Sequence, residues 1–139
     1  MTGANFSTMN LTNDTRAPSD LLTEALDDLA LCEEQGIKID MSCWVERVGT
    51  ELRCCLGGAR MIQRYGIRED SGPSLVDASI RPELWFLHEI AQGNIDWALD
   101  HFGLSCSMQD WVVIPYKDDR ESWFMDMTEI AGLLREQGL

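Results

Sequence analysis

Short apolar stripes at helical spacing, each followed by a glycine, restrict the fold of this chain more than any other feature. The first stripe lies in residues 19–35, where the apolar side chains recur on one side of a helix with about 100° per residue. Ser19 is placed to cap this predicted helix, and Gly36 is expected to end it. The acidic side chains of this segment fall mostly on the opposite side. The apolar stripe comprises Leu22, Ala25, Leu26, Leu29 and Cys32.

Similar stripes predict four more helices. They run from about Arg53 to Tyr65, from Pro82 to Gly93, from the capping Asn94 to Gly103, and from Thr128 to about Gln137. Residues 37–46 alternate between apolar and polar, broken only by Trp44, which predicts a strand. Trp111 to Tyr116 and Ser122 to Met127, separated by a charged turn, predict two further strands. The expected fold is therefore α+β, a helix-dominated small single domain with a short C-terminal antiparallel hairpin.

The length of 139 residues fits one globular domain, which we place at residues 18–139. Residues 1–17, rich in Thr, Asn, Ser and Gly, are expected to form a flexible tail. No apolar run approaches the roughly 18 residues of a membrane span, and the first residues lack the pattern of a secretory signal. The five cysteines are an odd number without paired spacing, which favours reduced thiols and a cytoplasmic location.

Charge constrains the function most strongly. The chain has 24 acidic and 11 basic side chains, and its net charge is −13. Residues 1–36 carry seven acids and one base, residues 37–70 five acids and six bases, and residues 71–139 twelve acids and four bases. This balance opposes direct binding to nucleic acid or to an anionic membrane, and it favours a partner with a basic protein surface. The alternative is that the acidity only maintains solubility.

Two tryptophans lie away from the apolar stripes of their helices. Trp85 is opposite the stripe of the third helix, and Trp97 stands among Asp96, Asp100 and His101. Tryptophan in such a position is typical of an interface, either with a partner or in a homodimer. The alternative is that a loop or the C-terminal hairpin covers both rings.

The predicted partner-binding surface also includes rows of carboxylates. Carboxylates spaced like phosphates imitate a nucleic-acid backbone and can occupy the basic groove of an enzyme. The candidate partner-binding residues are Trp85, Trp97, Asp20, Glu24, Asp27, Glu34, Asp96 and Asp100.

The basic residues of the middle segment offer an alternative site. Arg53, Arg60 and Arg64 fall on one face of the predicted second helix. They either form salt bridges with the surplus acids or bind an anion such as a nucleotide.

Neither cofactor nor metal is expected. The two histidines, His88 and His101, and the cysteines lack the spacings of a metal site. An enzyme using Cys54 or Cys55 with one of these histidines is a further alternative, but core packing explains the thiols better. The pair Gly57-Gly58 lies outside any phosphate-binding motif, and close helix packing explains Gly58 better than phosphate binding does.

Two blocks of this chain resemble small uncharacterised bacteriophage proteins. The first block is Met41-Ser-Cys-Trp44 followed by the helix Cys54-Cys-Leu-Gly-Gly-Ala-Arg-Met61, where the family tends to have Ala in place of Gly57. The second runs from Pro82 to Leu99. The resemblance implies an origin in phage or in bacterial cytoplasm and carries no assigned activity.

Charge and the resemblance together lead to one hypothesis for the function. We expect a non-enzymatic, acidic protein-binding domain that inhibits a host or defence enzyme acting on nucleic acid. The exposed tryptophans anchor the complex, and the carboxylates steer its formation.

Overall fold

The computed structural model describes residues 16–104 and 111–139. Within them the chain is a helix-dominated α+β domain, as predicted. The helices are α1 (Pro18–Glu34), α2 (Leu56–Tyr65), α3 (Arg81–Ile90), α4 (Ile95–Asp100) and α5 (Arg120–Glu136), with a 3₁₀ turn at Pro73–Leu75. The strands are β1 (Lys38–Ile39), β2 (Val45–Val48) and β3 (Glu51–Cys54). Of the expected flexible tail 1–17, residues 1–15 lie outside the described residues.

The small sheet has the strand order β1-β3-β2. β2 and β3 form an antiparallel hairpin with Val48 opposite Glu51, and β1 runs parallel to β3 with Lys38 opposite Arg53. The hairpin turn begins at Gly49, whose φ of 64° lies in the left-handed region that glycine adopts without strain. The hairpin therefore lies in the first half of the chain.

The predicted C-terminal hairpin is wrong. Residues 111–115 form no strand, and Ser122–Met127 belongs to α5. The helix forms because buried side chains repeat at helical spacing on both sides of Thr128, the expected start. Its true start is capped by Asp119, whose carboxylate accepts the N–H of Ser122 at 3.1 Å. The buried side chains are Trp123, Met127, Ile130, Ala131 and Leu134.

The predicted boundaries of the second helix and of the first strand also need correction. Arg53 lies in β3, where Leu52 and Cys54 alternate inward, and α2 begins only after Cys55, whose Sγ accepts the N–H of Gly58 at 3.3 Å. The expected strand 37–46 is divided by a turn, because the Asp40 carboxylate accepts the N–H and the hydroxyl of Ser42 at 3.0 and 2.6 Å. Its two ends belong to β1 and β2.

The core lies between α1, α2, α3 and α5, with α4 packed on α3. All five members of the predicted stripe of α1 are buried. Ser19 does not cap this helix, which begins at Pro18; its hydroxyl donates instead to the Leu139 carbonyl at 3.2 Å. The indole N–H of the fully buried Trp123 donates to the Ala91 carbonyl at 2.9 Å and ties α5 to the end of α3.

A surface cluster fastens the start of α5 to the end of α1. The Arg120 guanidinium donates from Nε and Nη2 to the two carboxylate oxygens of Glu33, each at 2.8 Å, and the Tyr116 hydroxyl donates to the same carboxylate. The Arg120 guanidinium also lies 4.4 Å above the centre of the Phe124 ring. The hydrogen bonds from Arg120, and next those from Tyr116, lower the pKa of Glu33 below its ordinary 4.5.

The glycine pair at the start of α2 allows Trp44 to lie directly against that helix. A Cβ on Gly58 would overlap the carbonyl oxygen of Trp44 and would come within 2.9 Å of the Cβ of Cys54. A Cβ on Gly57 would stand 2.5 Å from the Trp44 ring and 3.0 Å from the Leu84 carbonyl oxygen. Close packing of the Trp44 backbone and indole therefore explains both glycines.

We predict that Gly58→Ala destabilises the protein by at least about 2 kcal/mol, because the new methyl group overlaps backbone atoms that cannot move without displacing β2. The matched control is Gly132→Ala in α5, where a Cβ meets nothing within 4 Å. This change should stabilise the fold by about 0.5–1 kcal/mol through helix propensity. Urea denaturation measures both, and equal effects of the two substitutions would contradict the packing argument.

A second prediction concerns acid stability. Because the folded pKa of Glu33 lies below the unfolded value, its stabilising contribution is complete above pH 4.5 and is lost as the pH falls through the folded pKa. Between about pH 7 and about pH 3, the wild type should lose more free energy of unfolding than Glu33→Gln. The control Glu34→Gln, which removes an exposed carboxylate next to Glu33, should follow the wild type. Coincident curves for the wild type and Glu33→Gln would refute the proposed contribution.

Candidate partner-binding surface

Helix α4 divides its side chains sharply between the core and the solvent. Ile95, Ala98 and Leu99 are fully buried against the rest of the molecule. The four remaining side chains from 96 to 101 are exposed, and 68% of the Trp97 surface is accessible. These exposed residues are Asp96, Trp97, Asp100 and His101.

Trp85 joins this surface from the neighbouring helix α3. Its indole is 36% exposed and stacks on the His101 ring, with the ring centres 5.9 Å apart and the planes 27° from parallel. Trp97 precedes His101 by four residues, so both side chains lie on one side of α4. We define the aromatic–acidic face as Trp85, Asp96, Trp97, Asp100 and His101.

Two further rings support this face from below. The His88 imidazole stacks on the Trp44 indole at 4.6 Å, and the edge of Trp85 meets both rings, at 5.1 Å from Trp44 and 5.7 Å from His88. Burial lowers the pKa of His88 below its ordinary 6.5, which favours the neutral imidazole at physiological pH. Sequence reasoning missed both residues. Trp44, which breaks the strand alternation shortly before a glycine pair, was the available signal.

Between Arg81 and Lys117 the sequence has no basic residue. From residue 82 to residue 116 the chain has five acidic residues and neither lysine nor arginine. Within the described residues, the Asp100 carboxylate has no basic side chain within 4 Å. The face therefore combines exposed aromatic rings with the exposed Asp100 carboxylate, which forms no salt bridge within the described residues.

The predicted carboxylates of α1 lie elsewhere. α1 packs mainly against α2 and α5, whereas α4 packs against α3. Glu24 pairs with Arg16, Arg60 and Arg64, and Asp20 lies 3.7 Å from Arg135. Asp27 and Glu34 are exposed. Of the six predicted carboxylates, the structure brings only Asp96 and Asp100 together with the tryptophans.

The three predicted anion-binding arginines do not form one face. Arg53, in β3, lies 3.2 Å from Glu51 and 3.9 Å from Asp40. Arg60 is only 4% exposed and its Nη1 lies 3.2 Å from both Glu24 and Asp28. Arg64 binds the same two carboxylates at 3.3 and 3.6 Å. All three side chains are thus already paired with acids of the same chain, which is the salt-bridge alternative considered above.

The described cysteines are free thiols, and most are buried. Burial raises the pKa of Cys55 to about 12 and that of Cys43 to about 11, so both are protonated at neutral pH. A contact between Cys32 and Cys54 lowers the pKa of Cys32 and raises that of Cys54. Within the described residues, neither histidine forms a hydrogen bond with a cysteine.

A cavity of about 650 Å³ opens between β1 and residues 113–117. Lys38 and Lys117 line it together with Asp40, whose pKa is held below its usual range by the hydrogen bonds from Ser42. The rest of the lining is largely apolar, and it includes none of the predicted site residues. Its other members are Ile39, Met41, Ser42, Ala91, Gln92, Val113, Pro115 and Tyr116.

No protein-family model, curated protein or solved structure matches this chain. The resemblance to small bacteriophage proteins therefore stays a prediction. None of the described helices is both long and apolar enough to cross a membrane.

The buried ion-pair network yields a third prediction. Arg60→Leu should lower the free energy of unfolding by about 3 kcal/mol. The Asp28 carboxylate is only 7% exposed, and the substitution removes one of the positive charges that compensate it. The double variant Arg60→Leu/Asp28→Leu should recover much of this loss. Arg135→Leu, which breaks an exposed pair, is the control and should cost less than about 1 kcal/mol. Equal losses of the free energy of unfolding for Arg60→Leu and Arg135→Leu in urea denaturation would show that the buried network contributes no more to stability than an exposed ion pair.

Proposed function

We propose that this chain is a non-enzymatic protein-binding domain that attaches to a basic surface of its partner through the aromatic–acidic face. The observation that carries the proposal is the exposure of Trp97 beside Asp100 in a segment of the chain without lysine or arginine. Two classes of interaction are thereby offered at one place. The indole provides area for burial, and the carboxylates provide attraction for a cationic partner.

The exposed indoles supply the binding energy in this proposal. An aromatic side chain of this size buries about 150–250 Å² when it is fully enclosed, and tryptophan is among the residues that dominate interfaces. Trp97 still has most of that area to bury, and Trp85 has part of it. The net charge of −13 contributes mainly to the rate of association, because long-range attraction accelerates the encounter with a basic surface.

The same charge argues for the class of partner. It repels phosphate backbones, so the proposed partner is a protein and not a nucleic acid. Proteins with strongly basic surfaces include the enzymes that bind nucleic acids, and an acidic domain can occupy their binding groove. Together with the phage resemblance, this supports an inhibitor of a host or defence enzyme that acts in the bacterial cytoplasm, where free thiols are stable.

Two other functions are less favoured by the geometry. An anion site on Arg53, Arg60 and Arg64 has to displace the carboxylates that these side chains already bind. A homodimer through the aromatic–acidic face would bring two strongly acidic surfaces together, which costs free energy at moderate ionic strength. A basic protein partner requires neither the displacement of these carboxylates nor contact between two acidic surfaces.

The test is affinity capture from bacterial lysate with three forms of the protein as bait. We expect the wild type to retain a basic protein, Trp97→Asp to lose it, and Met125→Asp to keep it. Met125 is a suitable control because it is 71% exposed on α5 and lies outside the aromatic–acidic face. Mass spectrometry identifies the captured proteins, and light scattering on the same samples reports self-association.

Salt separates the electrostatic contribution from the aromatic one. Raising the salt from about 0.1 M to about 1 M shortens the screening length from about 10 Å to about 3 Å, so capture should weaken steeply. The proposal fails if no protein is retained at low salt, or if Trp97→Asp retains the same proteins as the wild type. It also fails if light scattering shows a dimer that Trp97→Asp dissociates.

A further inference from the structure

Four rings form a continuous array from the sheet to the end of α4. Trp44 stacks on His88, Trp85 meets both of them edge-on, and His101 stacks on the other side of Trp85. Trp97 lies one helical turn before His101 on the same side of α4. We call these four rings together with Trp97 the aromatic ridge. Its inner rings are packed among one another, whereas Trp97 presents its indole to solvent.

The inner end of the aromatic ridge is fixed by backbone contacts. The Trp44 carbonyl accepts the N–H of Cys55 at 3.2 Å, and the Trp44 ring lies against Gly57 without room for a methyl group. Since Trp44 cannot shift, the rings of His88 and Trp85 that pack on it are held as well. A surface whose rings are already ordered loses less conformational entropy when it binds a ligand.

Arg120 shows how an arginine in this fold contacts an aromatic ring and a carboxylate at the same time. At the start of α5 the Cζ of Arg120 lies 4.4 Å from the centre of the Phe124 ring, while two nitrogens of the guanidinium donate to the Glu33 carboxylate at 2.8 Å. A guanidinium uses both contacts at once because it is planar, stacks through its face and donates from its edge. The aromatic–acidic face has the corresponding parts, Trp97 and Asp100, without an internal arginine.

We propose that the aromatic ridge is a site for an arginine side chain of the partner, with the guanidinium stacked on the Trp97 indole and hydrogen-bonded to Asp100. This inference rests on the proposed function and specifies the chemistry that the face recognises. A lysine ammonium satisfies the charge but cannot stack as a plane, and it gives up more hydration on binding. The partner surface is therefore arginine-rich and not merely basic.

Two synthetic peptides of equal length and charge test this inference, one with glycine and arginine alternating and the other with glycine and lysine. Isothermal titration of the full chain at about 0.15 M salt, where general electrostatic attraction is screened within about 8 Å, measures both affinities. We expect the arginine peptide to bind about tenfold more tightly, the ratio that corresponds to about 1.4 kcal/mol. Trp97→Ala and Asp100→Asn should each reduce this preference to about twofold or less.

Met125→Ala and Asp126→Asn are the matched controls, because they remove an exposed apolar and a partly exposed acidic side chain from α5. Both should keep the preference for arginine. Equal affinity for the two peptides overturns the arginine inference, and so does a preference that survives Trp97→Ala. An absence of binding by both peptides also overturns it. None of these outcomes decides the proposed function, which the capture with Trp97→Asp tests independently.

Discussion

The packing of Trp44 against the glycine pair of α2 is the contact on which both the fold and the proposed site depend. Gly58 lets the Trp44 backbone approach the helix, and Gly57 makes room for its ring. The indole consequently reaches α3, where it stacks on His88 and meets Trp85. A side chain that joins the sheet to the core therefore also orders the rings beneath the exposed surface. Stability and recognition are linked because they share these atoms.

The distribution of charge follows from a second set of internal contacts. Arg60 is buried between α1 and α2, where it pairs with Glu24 and Asp28, and Arg64 reinforces both pairs from the surface. Arg60 and Arg64 thus neutralise part of the acidity of α1. From residue 82 to residue 116 the sequence has five acidic residues and no lysine or arginine that could act in the same way.

Local sequence patterns predicted the features that depend on neighbours along the chain. The apolar stripe of α1 is of this kind, because helical periodicity alone determines which residues face inward. The C-terminal hairpin was wrong because aromatic residues around Trp123 suit a strand locally, whereas their spacing fits a helix against the core. Arg53 was misplaced for a related reason, since strand pairing with β1 and β2 decides its conformation. The stacking of His88 on Trp44 joins residues distant in sequence, which no local pattern reveals.

Trp97 is the residue that the fold itself does not explain. α4 is held by Ile95, Ala98 and Leu99, all fully buried, and the helix needs no further apolar anchor. A small polar residue at position 97 would satisfy the same backbone and would lower the tendency to aggregate. The indole lies instead on the exposed side of α4, one helical turn from Asp100 and His101. An exposed tryptophan on a helix that other residues anchor favours the proposed contact with another molecule.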